Sequence, residues 1–509
     1  MNEGVMKKRN IGITLSYIYV FLNAVCGLIM SSFLLRTLGD TEYGIYQTIG
    51  SFANYLVMFE FGTGTIMTRN ISLCRGRNSD RENIMRNVST IMIITNVLAV
   101  AIVVISVFFY FLIGFIYHDS MTLAQVIYSK KIFIFLVLYL IFSFYTQTLN
   151  GYVLGNEDYT FSNKVSITRV VVRTVALFLI IGFFKYAIWI AVVDAAISGI
   201  IAAYTYIYCW KKWNYVAKLR YFDAGIFREM LPLCFAILIQ AVVNQANSNV
   251  DKFVISIELD PESVALYSVA LYIYSIFSSM TTIPISMYMP QIASTIANGC
   301  TKKEITESLI TPCRLIMIIG GTIMFGFIGI GRQFITIFYG SSKLLAWTIA
   351  LIIMAPMLIN MSNGILVNVL DIYNKRIIRS YALVGTTIAN IVLTVWWIKQ
   401  FGMLGAPIAT AICTFIGQIL FMNFYYFKYF EINVFYLFRQ TFKGILIYQI
   451  VASGISFAIG SLISNVFIGF FVGGVAFLLV EFGGILFLGK SKTERANILY
   501  KLISKKKGD

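Results

Sequence analysis

Arg169 and Arg173 stand four residues apart inside the apolar stretch 165–184. That step puts both guanidinium groups on one helical face. Each offers a planar fork of donors that fits phosphate oxygens, so the pair suits a diphosphate. A second role stays open: Arg169 snorkelling to the near interface and Arg173 pairing with a carboxylate such as Asp194. A second polar group lies in 237–254, which reads ILIQAVVNQANSNVDKFV. Gln240, Asn244, Asn247 and Asp251 follow steps of four, three and four, with Ser248 beside them, so they share one face. Polar groups are costly in hydrocarbon, and such a face must turn to water or protein. Its amides suit hydrogen bonds to a polar ligand, or glue between helices. Lys252, near the outer end of this stretch, either meets phosphate from the outer side or snorkels outward. Glu60, Asp194 and Glu481 are carboxylates flanked by apolar residues, where a carboxylate can cycle a proton or bind a cation. They are the candidates for ion coupling, although Glu60 could equally pair with Arg69.

The elements that must position these residues follow from composition. The 509 residues are 59% hydrophobic and 12% charged, which excludes an ordinary soluble domain and indicates a polytopic membrane protein. Apolar runs long enough to cross a bilayer occur at 11–35, 43–67, 88–115, 132–154, 165–184, 186–210, 231–257, 264–289, 314–331, 344–370, 380–398, 404–427, 437–462 and 466–489. The expected fold is all-α and integral to the membrane, with about 14 transmembrane helices. With the N-terminus inside, 30 of the Lys and Arg residues fall in inner segments and 7 in outer ones. The three within spans are Arg169, Arg173 and Lys252. This asymmetry predicts both termini in the cytoplasm. It also explains the net charge of +17 without nucleic acid, and assigns the basic tail 490–509 to a lipid surface. The apolar run after Lys7, Lys8 and Arg9 continues to Leu35 with no cleavage pattern, so it reads as a first span and not a removable signal.

Several chemistries are excluded. One His and seven Cys without a CxxC pair give no metal spacing, and no cofactor is expected. No GxxxxGK[ST] motif occurs, so the chain itself does not use ATP. The outer loops are short, the longest near 116–131, which argues against a membrane-embedded glycosyltransferase or polymerase. A transporter, not an enzyme, is the reading.

An internal echo organises the spans. FLLRTLGDTEYGIY (Phe33–Tyr46) and FVISIELDPESVALY (Phe253–Tyr267) both place Asp-x-Glu, Asp40/Glu42 and Asp260/Glu262, at a turn between spans. Two pseudo-symmetric six-helix halves follow, 1–210 and 211–430, with two extra C-terminal helices in 431–489. Repeated halves are the usual architecture of transporters.

LGDTEYGIY (Leu38–Tyr46), Glu60-Phe61-Gly62 with Arg69 downstream, TIPISMYMP (Thr282–Pro290), GRQFITIFYG (Gly331–Gly340) and ANIVLTVWWIKQFGMLGAPIATA (Ala389–Ala411) follow one another along the chain. In their order and spacing the chain resembles the bacterial polysaccharide-biosynthesis flippases of the multidrug/oligosaccharidyl-lipid/polysaccharide exporter superfamily. The resemblance implies translocation of undecaprenyl-diphosphate-linked oligosaccharide repeat units across the bacterial cytoplasmic (inner) membrane by alternating access, for O-antigen, capsule or exopolysaccharide. The implied partners are the lipid-linked oligosaccharide, membrane lipid, a polysaccharide polymerase and a chain-length regulator. Alternatives within the superfamily are an ion-coupled multidrug antiporter and a peptidoglycan-precursor flippase. Cationic drugs call for an anionic cavity, which Arg169 and Arg173 do not supply.

Overall fold

The computed structural model describes residues 3–60, 62–76, 80–117, 121–214, 217–297, 301–373 and 375–487, and every regular element among them is helical. In hydrocarbon each backbone N–H and C=O must find its partner inside the chain, which helices achieve locally. The chain divides into two compact units, Met1–Ser268 and Val269–Asp509.

The first unit holds α1 (Glu3–Asn54), α2 (Thr63–Gly76), α3 (Arg81–Ile116), α4 (Leu123–Gly155), α5 (Tyr159–Phe184), α6 (Ile188–Trp213), α7 (Ala224–Glu258) and the start of α8 (Pro261–Ala297). α1 is two helices joined at a kink, where Gly39 takes φ 80° and ψ 173°, a conformation that favours glycine. The span expected at 43–67 does not run through. The α-helix ends at Asn54, Tyr55–Glu60 tightens to a 3₁₀ turn, and Gly62 at φ 66° redirects the chain into α2. α2 then approaches α4 through small residues: a Cβ on Gly151 would overlap the Gly64 carbonyl. Thr63 and Thr148 share a hydroxyl hydrogen bond of 2.8 Å beside it, and Thr68 Oγ1 donates to the Gly151 carbonyl at 3.1 Å. Small residues and hydroxyls are the means by which helices associate in lipid.

The core of this unit joins Ile45, Ile49 and Phe52 of α1 to Ile102 of α3, Phe133 of α4 and Ala191 of α6. On the far side of α3, Val97, Val100, Val104, Phe108, Phe111 and Phe115 are all more than 60% exposed. Their steps of three and four make one apolar stripe with nothing of the protein on it, the signature of a lipid-facing surface. The loop ends are capped as soluble helices are. Thr122 and Gln125 form a capping box, Asp158 accepts from the Phe161 N–H, and Asp223 accepts from the N–H groups of Gly225 and Ile226.

The second unit holds the rest of α8, then α9 (Lys302–Tyr339), α10 (Leu345–Ser362), α11 (Leu366–Ile372), α12 (Arg376–Phe401), α13 (Gly405–Cys413), α14 (Met422–Phe430), α15 (Val434–Phe442), α16 (Ile445–Leu462) and α17 (Val466–Phe487). A π-helical stretch, Thr414–Phe421, joins α13 to α14. Leu309 and Cys313 of α9, Leu366 and Leu370 of α11, Met422 of α14 and Leu437 of α15 share one core. α16 packs on α9 and α17 by small residues: a Cβ on Gly329 of α9 would overlap the Ser456 side chain, and Ser456 Oγ donates to the Gly473 carbonyl of α17 at 2.9 Å.

Among the described residues eleven stretches are long and apolar enough to cross a membrane, and the protein is multi-pass. Two of them, Ile18–Val57 and Ile378–Phe430, each cover two of the spans expected from the sequence.

Candidate functional site

The two arginines of α5 meet different partners because α6 returns antiparallel beside α5 after a short connection. A four-residue step up α5 is answered by a four-residue step down α6. Arg173 meets Asp194: Nε donates to Oδ1 at 2.5 Å and Nη2 to Oδ2 at 2.9 Å. Arg169 meets Ser198 instead, with Nη2 to Oγ at 3.1 Å, and also reaches Tyr139 Oη of α4 at 3.4 Å. Its guanidinium lies over the Tyr139 ring, 5.8 Å from the centroid. The Arg173–Asp194 pair is side-on and bidentate, the strong geometry for this pairing. Asp194 is nearly enclosed while about a third of the Arg173 side chain stays open, so Arg173 keeps a free edge. Arg169 forms no ion pair among the described residues; its hydrogen-bond partners there, Ser198 and Tyr139, are neutral.

α1 extends the cluster. Tyr43 and Tyr46 both feel the Arg173 charge, and Tyr46 that of Asp194 as well. Tyr43 Oη accepts from Gln47 Nε2 at 2.8 Å, and Gln47 Oε1 accepts from Lys252 Nζ of α7 at 3.4 Å. Asp251, the neighbour of Lys252, is 6% exposed and accepts from Tyr267 Oη of α8 at 2.7 Å. Adjacent helical residues point about 100° apart, which is why Asp251 and Lys252 find separate partners. Lys252 is therefore joined to α1 through Gln47 and Tyr43. The side chains of Gln240, Asn244 and Asn247, and that of Glu60, lie outside the described residues.

The echoed turns touch. Thr41 Oγ1, between Asp40 and Glu42, donates to Glu262 Oε1 of the second turn at 3.0 Å. A Cβ on Gly44 would overlap the Pro261 carbonyl. Glu42 Oε2 accepts from Tyr128 Oη at 2.9 Å and from the Ala187 N–H at 3.0 Å, tying the first turn to α4 and α6.

At the other end of α5 the charges are paired. Asp158 accepts from Lys212 Nζ and from Tyr208 Oη, the latter at 2.7 Å, and Tyr208 stacks on Phe161 with centroids 3.6 Å apart. Burial pushes the Asp158 carboxyl up, but the bonds from Lys212, Tyr208 and the Phe161 N–H outweigh it and hold the group below its ordinary value.

The sequence of residues 8–296 matches a family described as polysaccharide biosynthesis protein. The chain belongs to that family. No individually curated protein sequence matches the chain. Three solved structures are similar to this polysaccharide biosynthesis protein in fold. A lipid II flippase, MurJ, in an inward closed conformation has 18% identity and TM-score 0.68, covering 93% of this chain and 98% of its own. An inward-facing multidrug resistance MATE family transporter of the MOP superfamily has 12% identity and TM-score 0.61, covering 86% and 99%. A eukaryotic MATE transporter, AtDTX14, has 11% identity and TM-score 0.58, covering 86% and 100%. The polysaccharide biosynthesis protein thus has the fold of MOP-superfamily transporters.

The third candidate carboxylate of this family member, Glu481 of α17, lies in the second unit. Its Oε1 accepts from Thr322 Oγ1 at 2.6 Å and from Gln449 Nε2 at 3.2 Å. The three carboxylates put forward for ion coupling therefore differ: Asp194 is committed to Arg173, Glu481 sits among neutral groups, and the Glu60 side chain is not described.

Proposed function

We propose that this polysaccharide biosynthesis protein is a flippase for an oligosaccharide carried on undecaprenyl diphosphate. It moves the head group across the bacterial cytoplasmic membrane by alternating access, without chemical change, for O-antigen, capsule or exopolysaccharide. The observation that carries this reading is Arg169, a guanidinium with no ion pair among the described residues, beside the Arg173–Asp194 pair, in a helix whose other face is apolar. A charge in that setting is costly unless it has work to do. A diphosphate supplies the missing negative charge, and the open edge of Arg173 supplies a second donor group. Tyr139, Ser198, Gln47 and the amides Gln240, Asn244 and Asn247 provide donors and acceptors for sugar hydroxyls, with Lys252 and Asp251 farther along. A lipid II flippase among the similar structures is consistent with a lipid-linked cargo, and a polymerase and chain-length regulator would act on the product. A cation exporter would instead need a free carboxylate beside α5, where Asp194 is already bound.

Arg169→Gln tests this while leaving the ion pair intact. Cells carrying the variant at normal membrane abundance should lose surface polysaccharide and accumulate the lipid-linked precursor. Undiminished polysaccharide from a well-expressed Arg169→Gln variant would remove the phosphate role of this residue.

A further inference from the structure

Glu481 on α17 is 2% exposed, and Gln449 and Tyr448 on α16 are 0% and 3% exposed. Three of their oxygens have no hydrogen-bond partner among the described residues: Oε2 of Glu481, Oε1 of Gln449 and Oη of Tyr448. Buried acceptors without donors are rare in native proteins and call for an explanation. Missing side chains let these groups pack closely against the neighbouring helices. A Cβ on Gly321 of α9 would overlap the Gln449 carboxamide, and a Cβ on Gly484 would overlap the Tyr448 ring. The Gln449 nitrogen is already engaged, by the Ile318 carbonyl at 3.5 Å and by Glu481 Oε1. Its oxygen is what remains. Thr322 Oγ1 completes a set of oxygens drawn from α9, α16 and α17.

We propose that Glu481, Gln449, Thr322 and Tyr448 form a binding site for one small monovalent cation, Na⁺ or a proton. One carboxylate among neutral oxygens balances a single positive charge, whereas Ca²⁺ or Mg²⁺ takes more carboxylates or water. Among the described residues no Lys or Arg pairs with Glu481, so that charge has no resident source. α17 carries no other ionisable residue. On α16 the ionisable neighbour is Tyr448. On α9 it is Arg314, which feels Tyr448 but donates to the backbone carbonyls of Gln440 and Lys443 at 2.5 and 3.2 Å. The proposal rests on these atoms alone and holds whatever head group the arginine cluster binds.

The test is thermal unfolding of the purified full chain in detergent, with NaCl exchanged for N-methylglucamine chloride at constant ionic strength, across a pH series. A ligand that binds only the folded state raises Tm. A rise with Na⁺ that disappears in Glu481→Gln identifies Na⁺. A rise on lowering pH without Na⁺, again lost in Glu481→Gln, identifies a proton. Either supports the site. Equal Na⁺ and pH responses in wild type and Glu481→Gln, or no response in wild type, would overturn it. Should Glu481→Gln give no folded protein, Thr322→Val keeps the carboxylate and deletes one oxygen. The cation concentration for half the effect should then move about tenfold, the scale of one lost hydrogen bond or ligand contact; an unchanged value overturns the proposal.

Discussion

Four residues separate Arg169 from Arg173, and the helix opposite gives one a hydroxyl and the other a carboxylate. The two side chains are therefore not equivalent: Arg173 anchors α5 to α6, and Arg169 has no ion pair among the described residues. Replacing Arg173 alone would leave Asp194 buried without its partner, so loss of function in that variant would not speak to substrate. Asp158 shows the contrasting case of a charge at the membrane edge whose work is structural. Its depressed carboxyl stabilises the fold above about pH 4, the unfolded value, and that contribution is lost as pH falls through the folded value. Asp158→Ala should cost about 1 kcal/mol as a lost N-cap, the partly exposed Lys212 pair adding little, and should flatten the acid side of the stability profile. Equal acid unfolding of variant and wild type would count against the cap. The arginine step was legible in the sequence because a helix fixes the spacing of its own residues. Tyr139, Ser198, Tyr43 and Gln47 were not, because contact between helices depends on register and rotation that no local pattern records.

At the scale of elements, the echoed turns carry the argument. The repeat of Asp-x-Glu at Asp40/Glu42 and Asp260/Glu262 is readable from the sequence. That the two turns touch, Thr41 on Glu262 and Gly44 on Pro261, is a tertiary fact. Gly44→Val would put a side chain into the Pro261 backbone. Overpacking of this kind costs about 1–3 kcal/mol, and the expected outcome is a lowered Tm together with slower transport. A Gly44→Val variant as stable and active as wild type would show that the contact is dispensable. The break between Asn54 and Thr63 was missed because the residues there are as apolar as a span. Gly62 at positive φ and the close approach of Gly64 to α4 decide it, and hydropathy is blind to both.

For the whole molecule, the apolar runs and the distribution of charge were enough to recover an all-helical, multi-pass protein, and motif order was enough to recover the family. Hydropathy sees length, and it divides Ile18–Val57 and Ile378–Phe430 each into two runs about the places where the backbone itself bends, at Gly39 and at Gly402. It cannot see that Asp194 is spent on Arg173, nor that Glu481 lies among unsatisfied oxygens. The central claim, movement of a diphosphate-linked glycan past Arg169, is tested most directly in sealed vesicles. They would contain the purified chain and an undecaprenyl-diphosphate-linked oligosaccharide, with the fraction of glycan open to an external glycosidase followed in time. The account predicts that wild-type vesicles expose glycan that protein-free vesicles keep hidden, and that Arg169→Gln slows this by about tenfold or more, the scale of one charge-assisted hydrogen bond. Wild-type vesicles that expose no more glycan than protein-free ones would contradict it.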